Sequence, residues 1–230
     1  MLLGGKQSET KQIAVITRSQ QFSKLLTSIL AEWKFFAAED PSAATVAFVE
    51  RGLEFPDPDV RVVWLTSMPP EKGDFLTTPI SLSELYLLLE AHFFSTPRKN
   101  IRVSVEMSVE LKIESEWFQG QLVSLSDRGG RLACAKEIPR GTELTLEVKL
   151  EGEILRIPSA VLYCIPAGDS SSRLEAQIGV LFKPTNVEMF ERLKRFIEKN
   201  CIECACAREG ISLNDPCLSW LALPVVNGHP

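Results

Sequence analysis

The chain has 230 residues, a formal net charge of −5, 45% hydrophobic and 24% charged residues. That length and apolar content can fill two compact cores. A mildly acidic balance excludes a general nucleic-acid binder, so DNA and RNA are not expected partners and any anion site has to be local. No run of about 18 apolar residues predicts a membrane span, and Met1-Leu2-Leu3-Gly4-Gly5-Lys6 lacks a signal-peptide core. A cytoplasmic location is therefore expected, where the six cysteines read as thiols or metal ligands and not as disulfides.

Residues 11–94 alternate apolar runs with helical patterns and predict an α/β domain. Ile13-Ala14-Val15-Ile16 reads as a buried strand. Phe22, Leu25, Leu26, Ile29, Leu30 and Trp33 then recur at three- and four-residue spacing, the stripe of a helix that covers a sheet. Phe35-Phe36-Ala37-Ala38 predicts a second strand, Ala43–Val49 a short helix, and Val60–Thr66 a third strand ending before Pro69-Pro70. Ser81-Leu82-Ser83-Glu84 has capping-box form and opens a helix carried by Leu82, Leu85, Leu88, Leu89 and Phe93. Ser95-Thr96-Pro97 marks the boundary, because proline disfavours helix in the residue before it.

From Arg102 the apolar period becomes two. Val103, Val105, Met107, Val109, Leu111 and Ile113 alternate with polar residues along a half-buried strand. Further strands are predicted at Phe118–Leu125, Thr142–Leu150, Ile154–Ile165 and Leu174–Phe182, a spacing that suggests an antiparallel barrel. A helix over 187–199 closes the region, with Met189, Phe190, Leu193, Phe196 and Ile197 as its apolar stripe and Thr185-Asn186-Val187-Glu188 as its capping box. Residues 95–200 are thus a second domain, and 201–230 a cysteine-containing tail.

Two motifs carry the functional reading. Arg98-Lys99-Asn100-Ile101-Arg102 precedes the first long strand, and Ser124-Leu125-Ser126-Asp127-Arg128-Gly129-Gly130 follows the second. Together with Gln177-Ile178-Gly179-Val180-Leu181-Phe182, they resemble the PilZ family, which combines an Arg-x-x-x-Arg segment with an [Asp/Asn]-x-Ser-x-x-Gly segment. The resemblance covers about residues 95–200. It implies a six-stranded antiparallel barrel with a C-terminal helix, no enzymatic activity, no required cofactor, and cyclic di-GMP as ligand. Independently of the family, a guanidinium can fork onto phosphate or onto the O6/N7 edge of guanine and stack on the base, which suits Arg98 and Arg102 to such a ligand. The resemblance assigns Ser124, Ser126 and Gly129 to the guanine edge. Ser124 departs from the family's Asp or Asn, and one hydroxyl accepts less effectively than a carboxylate. The resemblance further implies control of motility, adhesion or exopolysaccharide through a protein partner, with a homodimer as one arrangement. A PilZ-like adaptor that binds no nucleotide is the competing reading.

The first domain resembles a degenerate response-regulator receiver. Its α/β order and Pro79-Ile80-Ser81-Leu82-Ser83-Glu84-Leu85 fit, while Thr17, Arg18, Leu65 and Thr78 stand where a receiver needs acidic residues, a phosphoacceptor and a lysine. The segment from Pro69 to Thr78 looks too short for the usual fourth strand and helix. An interaction or dimerisation module is expected. Cys201, Cys204, Cys206 and Cys217 could hold zinc or an iron–sulfur centre, which would make the tail a metal or redox sensor. Cys134 and Cys164 fall in barrel strands, where core packing is the expectation. Neither His92 nor His229 stands in an acid–base or nucleophilic grouping.

Overall fold

A computed structural model describes residues 11–55, 57–168, 175–183 and 186–223. Two compact units result, residues 1–99 with 201–230 and residues 100–200.

The first unit comprises β1 (Gln12–Ile16), α1 (Gln20–Glu32), β2 (Phe36–Ala37), β3 (Val46–Glu50), β4 (Arg61–Thr66), β5 (Asp74–Thr77) and α2 (Leu82–Phe93). All strand pairs are parallel in the order β2-β1-β3-β4-β5. Ser19 Oγ starts α1 by accepting from the Phe22 N–H at 3.2 Å, leaving Phe22, Leu25, Leu26, Ile29 and Leu30 on a fully buried stripe. Each such side chain contributes about 1.5–3 kcal/mol through removal from water. Ser81 caps α2 as its sequence indicates, accepting from the Glu84 N–H.

Two expectations are corrected in this unit. Ala43–Val49 is not a helix. A 3₁₀ turn at Pro41–Ala43 leads into β3, whose Val46, Ala47, Phe48 and Val49 are all fully buried. A short, continuous apolar run has no period to separate strand from helix, and its place between β1 and β4 decides the matter. The segment before Thr78 also does contain a strand. β5 follows β4 with no intervening helix, which is how the short connection fits.

Residues from Cys201 onward, a tail by sequence, pack within this first unit. Phe22 stacks on Trp220 with ring centroids 4.9 Å apart. Leu221 forms a parallel bridge with Ile80. Arg208 pairs with Glu32 of α1 and donates to the Ser28 carbonyl and hydroxyl at 3.2 and 3.1 Å.

The second unit is a closed barrel of β6 (Val103–Ile113), β7 (Glu116–Ser126), β8 (Gly129–Cys134), β9 (Glu143–Leu150), β10 (Glu153–Ile165) and β11 (Ala176–Phe182). Its order is β10-β11-β8-β7-β6-β9, and every pair is antiparallel. Along β6, Val103, Val105, Val109 and Leu111 point inward while Ser104, Glu106, Ser108 and Glu110 face solvent, as the period of two requires. β8 is absent from the strand-by-strand sequence reading, because Gly129-Gly130 presents it as a turn.

A helix, α3 (Val187–Glu209), follows β11 and runs longer than the expected 187–199. Asn186 Oδ1 accepts from the Met189 N–H at 2.9 Å, so Asn186 caps it. Thr185, expected in that cap, lies outside the described residues. Leu193 and Ile197 are buried. Arg192 and Lys199 each reach the β9–β10 hairpin, pairing with Glu153 and Glu151 at 2.6 Å.

Candidate functional site

The second motif lies on the β7–β8 hairpin. Ser126 ends β7, Gly129 begins β8, and Asp127-Arg128 makes the turn. Ser126 is buried, and its Oγ donates to the Gly129 carbonyl at 3.1 Å, so the hydroxyl closes the turn. Gly129 pairs with Leu181 on β11, and a Cβ there would come inside 3.0 Å of the Val180 carbonyl oxygen. The close approach of β8 to β11 therefore demands glycine.

Ser124 is half-buried and stands opposite Ser104 of β6 on one side and Arg131 of β8 on the other. Arg131 pairs in turn with Gly179, and Gly179 with Tyr163 of β10. A Cβ on Gly179 would strike the Tyr163 ring, so the phenol lies across the glycine. Residues paired across strands share a face. Ser104, Ser124, Arg131, Gly179 and Tyr163 thus form one transverse row, with Arg131 and Tyr163 exposed. The sequence reading missed Arg131, because the strand that carries it was itself missed.

The arginine segment spans the border between the units. Arg98 is exposed at the end of the first unit, where its backbone N–H donates to Glu90 Oε2 at 2.7 Å. Glu90 is only 4% exposed. Lys11 is also close by: burial pushes its ammonium pKa down, Glu90 raises it and Arg98 lowers it further. Arg102 is exposed directly before β6, with Ile101 buried beside it. Among the described residues, neither the Arg98 nor the Arg102 guanidinium has an ion-pair partner, whereas those of Arg61, Arg192 and Arg208 do.

Asp127 belongs to the second motif and stands in the turn of its hairpin. Burial pushes its carboxyl pKa up, while the charges of Arg128 and of Lys194 on α3 act in the opposite direction. Arg128 Nε lies 3.9 Å from Asp127 Oδ2. The Arg128 guanidinium covers the Phe190 ring of α3 at 3.9 Å, and its carbonyl accepts from the Phe182 N–H at 2.9 Å.

Compared with models of known families, residues 96–199 match the PilZ domain. The chain carries a PilZ domain. Among solved structures it is similar to the Bacillus subtilis inhibitor of motility (MotI/DgrA), with 16% identity and a TM-score of 0.40 over 47% of this chain and 53% of that one. It is also similar to the PilZ domain of YcgR from Escherichia coli with c-di-GMP, with 13% identity and a TM-score of 0.42, covering 50% and 98% of the two chains. The corresponding values for the K. pneumonia MrkH–c-di-GMP complex are 17%, 0.41, 47% and 54%. The chain thus spans about half the length of the first of these structures. No curated protein matches it.

Outside the PilZ domain, the open parallel sheet has the strand order in which ligands sit beyond the strand ends, at the β1/β3 switch point. Arg18 and Glu50 occupy that point and pair with each other. The Arg18 N–H also donates to Glu50 Oε2 at 2.7 Å, and its Nη2 to the Gly52 carbonyl at 3.2 Å. Because β3 is a strand, the third strand ends at Glu50 and not at Leu65. A carboxylate does stand there, but an arginine faces it where a cation site would need a second acid.

The four cysteines named as a possible metal grouping are dispersed. Cys201, Cys204 and Cys206 lie on α3, where a turn of 3.6 residues sets Cys204 and Cys206 on different faces; Cys204 is exposed, while Cys201, Cys206 and Cys217 are buried. Among the described residues no three His, Cys, Asp or Glu side chains converge as a metal site. Burial, with Asp215 and Cys206 adding to it, pushes the Cys217 thiol up to about 12, opposite to what a thiolate ligand needs. Cys134 is buried in β8 as expected, whereas Cys164 of β10 is half-exposed. His92 accepts no catalytic partner: its Nδ1 meets Arg61 Nη1 at 2.6 Å. His229 lies outside the described residues.

Proposed function

We propose that this protein is a cyclic di-GMP effector of the PilZ type. Arg98 and Arg102 bind the nucleotide's phosphates and guanine edges, and the Ser124 side of the β7–β8 hairpin receives a base. The observation that carries this reading is the PilZ match over residues 96–199, which includes both arginines as exposed side chains. Members of this family are receptors and not enzymes, and the nucleotide is bound and released unchanged. Ser126 and Gly129 support the site by shaping the turn of the hairpin whose β7 strand carries Ser124. The output is a changed contact with a protein partner, made by the receiver-like α/β unit, that regulates motility, adhesion or exopolysaccharide.

Calorimetric titration with cyclic di-GMP tests the proposal. A charge-assisted hydrogen bond is worth about 1.5–3 kcal/mol, so Arg98→Ala and Arg102→Ala should each weaken binding about ten- to a hundredfold. Lysine at Arg102 should restore only part of this, because it keeps the charge and loses the fork. Absence of binding by the wild-type chain at high micromolar nucleotide would favour the nucleotide-free adaptor.

A further inference from the structure

Glu90 breaks two local rules at once. It stands in the last turn of α2, where the helix dipole disfavours a carboxylate, and it is only 4% exposed, where a glutamate needs a partner. Leucine would serve the helix better there, continuing the buried face of Leu82, Leu85, Tyr86 and Leu89. What the carboxylate obtains is the backbone N–H of Arg98, eight residues on, which donates to Glu90 Oε2 at 2.7 Å. A residue that departs from local preference and gains one specific contact marks a place where the fold serves something besides its own stability.

The contact returns an exposed stretch of chain to the helix that it leaves. Phe94 caps α2 by donating its N–H to the Glu90 carbonyl at 3.0 Å, and Lys11 Nζ lies 4.1 Å from the centre of the Phe94 ring. Beyond it Ser95, Thr96, Pro97 and Arg98 are all exposed. Pro97 offers no N–H and has its own φ locked by its ring, so Arg98 is the first residue after it whose amide can be held. Glu90 therefore binds both ends of this stretch, the start through its carbonyl and the end through its carboxylate. Glu90 and Arg98 belong to the same unit, so the tie is internal to the α/β unit. It fixes the Arg98 backbone and leaves the exposed guanidinium to project from it. Holding the root of a side chain before a ligand arrives removes part of the entropy that binding otherwise costs.

We infer that Glu90 is a positioning residue for Arg98, its carboxylate holding the Arg98 backbone so that the guanidinium is preset for an anionic guanine nucleotide. The ligand half rests on the receptor reading, whereas the Glu90–Arg98 tie stands without any nucleotide. Glu90 itself touches no ligand and acts through Arg98 alone.

The full chain is compared with Glu90→Gln, which keeps an acceptor oxygen, and Glu90→Met, which fills the space without one. Without nucleotide, exchange of the Arg98 amide proton is followed by NMR, with the Leu26 and Ile29 amides of α1 reporting global opening. In wild type the Arg98 amide should exchange about tenfold more slowly than that of Thr96. Relative to the α1 amides, it should exchange about tenfold faster in Glu90→Met than in wild type, and within about threefold of wild type in Glu90→Gln. With cyclic di-GMP, calorimetry should show affinity lowered about three- to tenfold in Glu90→Met and nearly restored in Glu90→Gln. In an Arg98→Ala background the Glu90→Met loss should vanish, because no guanidinium is left to position; a merely structural role would carry the same loss into that background. An Arg98 amide that exchanges as fast as that of Thr96 in wild type, or a Glu90→Met loss that persists after Arg98→Ala, would overturn the inference. If the exchange pattern holds and the wild-type chain binds no nucleotide, the tie stands and the receptor reading fails.

Discussion

Replacing Gly129 with alanine separates a glycine kept for strand packing from one kept to leave room for ligand. The new Cβ would come inside 3.0 Å of the Val180 carbonyl oxygen, with Val180 C at 3.4 Å and Leu181 Cα at 3.6 Å. All three are backbone atoms of β11, so no side-chain rotation relieves the clash. β8 and β11 must separate where Gly129 pairs with Leu181. Overpacking of this kind costs about 1–3 kcal/mol, and with one ladder hydrogen bond weakened by about 1 kcal/mol a total near 3 kcal/mol is expected. At roughly 4 °C per kcal/mol for a unit of about this size, thermal unfolding followed by circular dichroism should fall by about 12 °C. Gly179→Ala is the control, because its obstacle is the Tyr163 ring, which is 43% exposed and can turn outward. Its loss should be less than half as large. A Gly129→Ala protein that melts within about 2 °C of wild type, or a costlier Gly179→Ala, would refute the packing argument.

Ser124→Asp should tighten cyclic di-GMP binding about tenfold in calorimetry, because a carboxylate accepts both donors of a guanine edge where the hydroxyl accepts one; equal or weaker binding would place the base elsewhere. His92 accepts from Arg61, and burial, followed by the Arg61 charge, lowers its pKa below 6.5 against a smaller raising effect of Asp74. The folded state thus takes up its proton later than the unfolded one, so stability should fall as pH drops through about 6.5, and His92→Gln should flatten that part of a urea-midpoint profile. In thiol titration at pH 8, Cys204 and Cys164 should react in the native protein, whereas Cys134, Cys201, Cys206 and Cys217 should react only after denaturation, since those four are buried. Because the α3 cysteines do not converge, chelator should leave the melting temperature unchanged; a drop of several degrees would restore the metal reading.

The sequence by itself determined the barrel, the helix stripes and the two motifs, because these rest on local periodicity and residue chemistry. Alternation along Val103–Ile113 needs no tertiary information, since a period of two has one amphipathic solution. Arg98, Arg102 and Ser124 were legible as types at a spacing. Only the tertiary structure decided the rest. Val46–Val49 became a strand because its neighbours are strands, and Gly129-Gly130 began one where β11 lies too near Gly129, and β7 too near Gly130, for a side chain. Cys201, Cys206 and Cys217 became core residues of the α/β unit while Cys204 stayed exposed, because a helical turn and the packing around Trp220 disperse them. Ser124, Arg131 and Tyr163 fall on one transverse row only through register, which is set by pairing between strands and is invisible to each residue's own neighbours in sequence.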